Sequence, residues 1–134
     1  MPNTQASGVA YSDPEFTTCY ASQELGYSAA AQGTVTQATD KSTGVTLNKS
    51  AGRITMNNAA LAGSTAVSFT LTNSLISAND AIIVNVSGGG TAAAYTTYIS
   101  SMTTGSAVVT LRNLTASTSL SEAVVLNFAI IHGA

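Results

Sequence analysis

The chain has 134 residues, a mass of 13.4 kDa and a formal net charge of −2, which is one domain's worth of sequence. Charged residues make up only 7%, against about 25% in an ordinary soluble domain, while 20 Thr, 17 Ser and 22 Ala fill 59 positions. Four Lys and Arg are too few to neutralise the phosphates of a nucleic acid, and positive mean hydropathy with clustered Val, Ile and Leu excludes disorder.

Residues 1–32 hold four of the eight aromatics (Tyr11, Phe16, Tyr20, Tyr27), both prolines and three acids (Asp13, Glu15, Glu24), with no Lys or Arg. They lack sustained periodicity and are expected to form an extended N-terminal arm. A helical turn over 24–31 is weakened by Gly26. The arm carries −3 and residues 33–134 carry +1, together −2. An acidic, aromatic-dotted arm on a nearly neutral body points to a segment that lies on something else; the alternative is that it packs on its own domain or stays loose. The start, MPNTQASGVAY, has neither a basic nor an apolar leader region, so no signal peptide is expected. Cys19 is the single cysteine, has no partner for an internal disulfide and reads as an inert small residue.

From Gly33 onward the pattern is that of β-structure. Short β-prone runs occupy 34–38 (TVTQA), 45–48 (VTLN) and 53–56 (RITM), set apart by Gly44 and Gly52. A single helical turn is expected over 57–63, with Asn58 as its cap and Gly63 at its end. The alternation is clearest over 67–72, where Val67, Phe69 and Leu71 share one face and hydroxyls the other. Residues 81–86 (AIIVNV) are more continuously apolar, as in a central strand. Gly88, Gly89 and Gly90 read as a flexible loop tip. Runs at 94–100, 107–113 and 123–131 complete seven or eight short strands, the pattern of an antiparallel β-sandwich.

Natural sheets block edge pairing with Lys, Pro or inward charges. Here residues 33–134 contain no Pro and only two Lys, Lys41 and Lys49, and 123–131 carries no charge. Copies of the same chain covering one another's faces and edges would answer that liability, so a homo-oligomer is expected; a monomer kept soluble by its hydroxyls is the alternative. The 123–131 run is interrupted by Asn127 and is far short of the roughly 20 residues of a membrane span.

Catalytic patterns are missing from the sequence. His132 is the one histidine, near the chain end and without Cys or carboxylate at ligand spacing, so it reads as a bystander rather than a metal ligand. Asp40, Asp80 and Glu122 each sit by an expected turn, which accounts for them better than glycoside-cleaving pairs do. No nucleophile elbow or phosphate-binding loop occurs. Tyr95 and Tyr98, at odd separation, fall on opposite faces of one strand. The sequons at Asn48, Asn85 and Asn113 are what chance gives in so Thr-rich a chain.

The run GTVTQATDKSTGVTLNKSAGRITMNNAALAGSTAVSFTLTNSLISANDAIIVNV, followed by SEAVVLNFAIIHGA at the end, resembles a module of tailed bacteriophages and prophages, found in small virion proteins and at the distal ends of tail fibres and tailspikes. The resemblance covers 33–134 and not the arm. It carries no catalytic, cofactor or metal motif, so it implies architecture and role alone: a homotrimeric β-sandwich on the outside of a virion assembled in the host cytoplasm. A distal module follows a long shaft, whereas this chain begins at Met1 with only an arm. The expected role is therefore a non-enzymatic capsid decoration (cement) protein, neither nucleic-acid- nor membrane-bound. Its arm, through Tyr11, Phe16, Tyr20 and Tyr27, would clamp neighbouring subunits of the phage major capsid protein. The alternative is a tail-fibre or tailspike tip for host recognition, with Gly89, Tyr95 and Tyr98 against a host-surface polysaccharide.

Overall fold

The computed structural model describes residues 15–133. A short 3-10 turn (Ala29–Ala31) precedes eight strands: β1 (Gln32–Thr36), β2 (Val45–Thr46), β3 (Ala51–Thr55), β4 (Ala66–Thr72), β5 (Ala81–Gly88), β6 (Tyr95–Thr103), β7 (Ser106–Asn113) and β8 (Val125–Ile131). They form two four-stranded sheets, ordered β1-β3-β8-β5 and β2-β4-β7-β6. The protein is an all-β sandwich.

The pairing is not wholly antiparallel. β1 runs parallel to β3, and β2 parallel to β4, while the remaining neighbours are antiparallel. The cause is the path of the chain. From β1 to β4 it changes sheet at every step, and each crossing reverses its direction, so strands two apart in sequence run the same way. β5 and β6 continue the zigzag, Gly105 turns β6 back into β7, and β8 returns to the first sheet.

Alternation places the core between the sheets. In β4 Phe69 and Leu71 are buried while Ser68, Thr70 and Thr72 are exposed. β7 contributes Ala107, Val109 and Leu111, and β8 contributes Leu126, Phe128 and Ile130. Ile54, Met56 and Ile76 complete the apolar centre. β5 is an edge strand rather than a central one. Its apolar run serves both faces: Ile82, Val84 and Val86 pack on the core, and Ile83 is 56% exposed on the outside.

Three local expectations also change. No helical turn forms over 57–63, because the Asn57 side chain accepts from the Ala59 N–H and Leu61 exchanges backbone hydrogen bonds with Leu120. Of the stretch 24–31, only Ala29–Ala31 turns. The glycine run is no free tip: Gly88 ends β5, a Cβ on Gly89 (φ +74°) would lie 2.2 Å from the Ala123 carbonyl oxygen, and one on Gly90 would lie 2.8 Å from the Tyr95 ring.

Gly33 and Gly52 are register partners in β1 and β3 and face inward. A Cβ on Gly52 would come within 2.6 Å of Leu47 Cδ2 and 3.0 Å of the Phe128 ring. The pair thus leaves a slot in the sheet that Leu47 fills from the opposite layer. Gly52→Ala is expected to destabilise the fold by about 1–3 kcal/mol through overpacking. Gly88→Ala, which meets nothing within 4 Å, should leave the thermal unfolding midpoint unchanged, and parallel melts of the two variants check the contrast.

Candidate functional site

Ionised groups at the two ends of the sandwich hold loops together. At one end Lys41 is 3% exposed, and its Nζ donates to the backbone carbonyls of Asn57 and Glu122. Burial pulls its pKa below the usual lysine range, and the nearby Glu122 carboxylate opposes that shift. Glu122 accepts from the Thr91 N–H at 2.9 Å, the Thr91 hydroxyl at 2.7 Å and the Tyr95 hydroxyl at 2.8 Å. These donors, those of Thr91 first, hold its carboxyl below the usual range; burial and Glu122 raise the Tyr95 phenol. Gln37 completes this end, donating to the carbonyls of Lys41 and Thr43 and accepting from the Asn57 N–H.

At the other end Asp80 accepts from Ser77 N–H and Oγ, each at 2.8 Å, and from the Gly133 N–H at 3.1 Å. His132 Nδ1 stands 3.1 Å from the same carboxylate, so the residue after β8 is latched to the turn before β5. Asp40 caps its own turn through Ser42 and Thr43. Asp80 and Glu122 lie at opposite ends of β5, roughly 25 Å apart at 3.4 Å per residue. They cannot flank one bond. Among the described residues no three His, Cys, Asp or Glu side chains are grouped to hold a metal ion.

The residues expected to meet a partner divide among separate places. Tyr11 lies outside the described residues. Phe16 and Tyr20 are 67% and 92% exposed, on a stretch (15–28) without helix or strand. Tyr27 is different: its hydroxyl donates to the Ile130 carbonyl, strapping the end of the arm to the first sheet. Tyr95 packs on the core and holds Glu122, whereas Tyr98 is 47% exposed on the outer face of the second sheet. Gly89, packed beneath Ala123, and Tyr95 lie near one end of the sandwich; Tyr98 does not join them in one surface.

The two outer faces differ. On the second sheet Thr110 Oγ1 donates to Ser100 Oγ at 3.0 Å, which leaves Ser68 Oγ as the donor to Thr110 at 2.8 Å. These three hydroxyls satisfy one another. On the first sheet the rows across β3, β8 and β5 read Ala51, Ala129, Ile83 and Arg53, Asn127, Asn85, with Ile131 opposite Ala81 beyond them. Arg53 is the one charged residue of that face. Tyr27 roofs part of it, enclosing a groove of about 560 Å³ lined by Gln32, Thr34, Ala51, Arg53, Asn127 and Ala129 among others.

No protein-family model matches the chain, and neither does a curated protein sequence or a solved structure.

Nothing in the sequence marked Lys41 as buried, and Tyr27, expected to meet a capsid subunit, follows instead the alternative in which the arm packs on its own domain. A lysine after Asp40 in a polar turn looks like any surface charge, and one tyrosine among four in an acidic segment gives no sign of its partner.

Asp80 has a pKa well below its ordinary 3.8, so the stability it supplies is present above that value and lost as pH falls from there through the lower pKa of the folded state. Asp80→Asn is expected to lower the unfolding midpoint at neutral pH and to flatten its decline below about pH 4. Asp40 and Glu122, shifted in the same direction, retain part of the slope. Melts across the acid range measure it.

Proposed function

We propose that the protein is a structural component of a phage virion: a trimeric decoration protein that binds the outer capsid surface through its N-terminal arm and does no chemistry. The observation that carries this reading is the contrast between arm and body. Residues 15–28 expose Phe16, Tyr20 and Leu25 at 67%, 92% and 90% on a segment whose ionised groups, Glu15 and Glu24, make no ion pair among the described residues. Aromatic side chains such as Phe16 and Tyr20 are enriched at protein interfaces, and Leu25 adds apolar area beside them.

The role would be mechanical. Three sandwiches associate through uncharged surfaces, and their arms grip neighbouring capsid subunits. Each grip is weak, but arms tethered to one trimer act together, and a ligand that binds only the assembled shell stabilises it by mass action. The resemblance of residues 33–134 to phage virion modules supports the location.

A host-recognition tip is the second reading, favoured by Tyr98, an aromatic ring exposed at 47% on a hydroxyl-rich face. Such a ring suits stacking on a sugar.

Deleting residues 1–25, which spares the Tyr27 strap, is expected to leave a folded sandwich that no longer co-sediments with expanded capsids of the cognate phage. Undiminished binding by that truncation overturns the arm mechanism. Labelling of host cells that is lost in Tyr98→Ala, without coating of capsids, would instead establish the second reading.

A further inference from the structure

One chain carries both an open face and an unburied arm. On the outer side of the first sheet Ile83 and Ile131 are 56% and 54% exposed, Ala51, Ala81 and Ala129 fill the space around them, and Arg53 is the only charge. Arg53 Nε donates to Asn127 Oδ1 at 3.3 Å, and among the described residues no carboxylate pairs with the guanidinium. The arm has the complementary character: apolar at Phe16, Tyr20 and Leu25, acidic at Glu15 and Glu24, and without a base anywhere in residues 1–32.

We infer that the outer face of the β1-β3-β8-β5 sheet is the docking site for the arm of a second copy of this chain. Residues 16–25 lie across the face, Phe16, Tyr20 and Leu25 cover Ile83, Ile131 and the alanines, and Glu15 or Glu24 pairs with Arg53.

Three observations favour a second copy as the occupant. The chain's own arm covers only the part of the face that Tyr27 crosses to reach the Ile130 carbonyl of β8; Phe16, Tyr20 and Leu25 remain exposed, and so do Ile83 and Ile131. The reach is sufficient, since ten extended residues span about 33 Å and four strands, three spacings of about 4.8 Å, span about 14 Å. The signs of charge match, with a face carrying +1 and a described arm carrying −2 from Glu15 and Glu24. An arm passed from each copy to the next is a heterologous contact, which closes into a ring when the rotation allows. Closure at three copies rests on the trimer proposed above; one arm cannot make both contacts at once, so the exchange belongs to the free oligomer and is given up where an arm grips the capsid.

Cys19 is exposed near the middle of the arm and serves as the probe. Tagged full-length chain bearing Cys19→Ser and Asn85→Cys is mixed with untagged wild-type chain and treated with a short bismaleimide. Thr70→Cys, on the outer face of the other sheet, replaces Asn85→Cys in the control. The expected result is a covalent species joining tagged to untagged chain for Asn85→Cys, at least fivefold above the Thr70→Cys control. Arg53→Glu in the tagged chain should cut that yield at least fivefold, and Glu15→Lys with Glu24→Lys in the partner should restore it.

Equal cross-linking at both positions, no cross-linking, or a purely internal link in Asn85→Cys chains that keep Cys19 each overturns the proposal, the last by showing that the arm folds onto its own sheet. Cross-linking without capsid binding leaves the arm exchange standing and removes the decoration role. Capsid binding by an oligomer that does not cross-link does the reverse.

Discussion

The scarcity of ionised groups governs how this molecule is built. Ten charged side chains serve 134 residues, and the three carboxylates of the sandwich are all committed to joining segments distant in sequence or closing a turn. Asp80 ties the turn before β5 to the residues after β8; Glu122 ties the segment before β8 to Thr91 and Tyr95; Asp40 closes the loop between β1 and β2. Lys41 is withdrawn as well, buried against two carbonyls beside Glu122. What remains for the flat exteriors is Arg53 on one sheet and Arg112 on the other. Charge that holds the ends of a sandwich cannot also keep its faces apart from other proteins, and neutral faces are free to associate.

That economy explains which parts of the fold the sequence disclosed. Strands betrayed themselves wherever one side meets the core and the other meets solvent: residues 67–72 alternate because Phe69 and Leu71 are inside and Ser68, Thr70 and Thr72 are not. The β-class and the number of strands followed from such runs. Strand direction did not, because it depends on which sheet the chain enters next, and β1 to β4 change sheet at each step. β5 read as central because Ile82, Ile83 and Val84 are consecutive; the pattern could not show that Ile83 faces outward unpartnered rather than into a second layer.

The candidate surfaces were legible to a similar depth. That Tyr95 and Tyr98 face opposite ways follows from strand parity, and the structure places one on the core and the other outside. The turn roles of Asp40 and Asp80 were readable from their neighbours, since short acids beside Ser, Thr or Asn bind backbone amides there; Glu122, expected at a turn as well, instead accepts from the distant Thr91 and Tyr95. The long-range contacts of Asp80 and Glu122 were hidden. Nothing in the letters links Glu122 to Thr91 across 31 residues, or Tyr27 to Ile130 across 103. Small residues hid the Gly33 and Gly52 slot in the same way: each looks like strand punctuation, and only their pairing opposite Leu47 makes them part of the core.

The two faces of the sandwich respond differently to being left bare. On the second sheet the hydroxyl of Ser68 donates to Thr110, Thr110 to Ser100, and Ser100 to the Val108 carbonyl at 3.4 Å, so the polar groups form one directed chain ending on the backbone. A face whose donors already point at internal acceptors gains little from a partner and loses little to water. The first sheet has no such chain. Its alanines and isoleucines lie at one end beside the polar row of Arg53, Asn127 and Asn85, its one cation has a single amide neighbour, and Tyr27 already bridges part of it. Covering it would remove apolar area from water, worth about 25 cal/mol per Å², and give Arg53 a carboxylate, so the arm exchange proposed above gains more on this face than it would on the other.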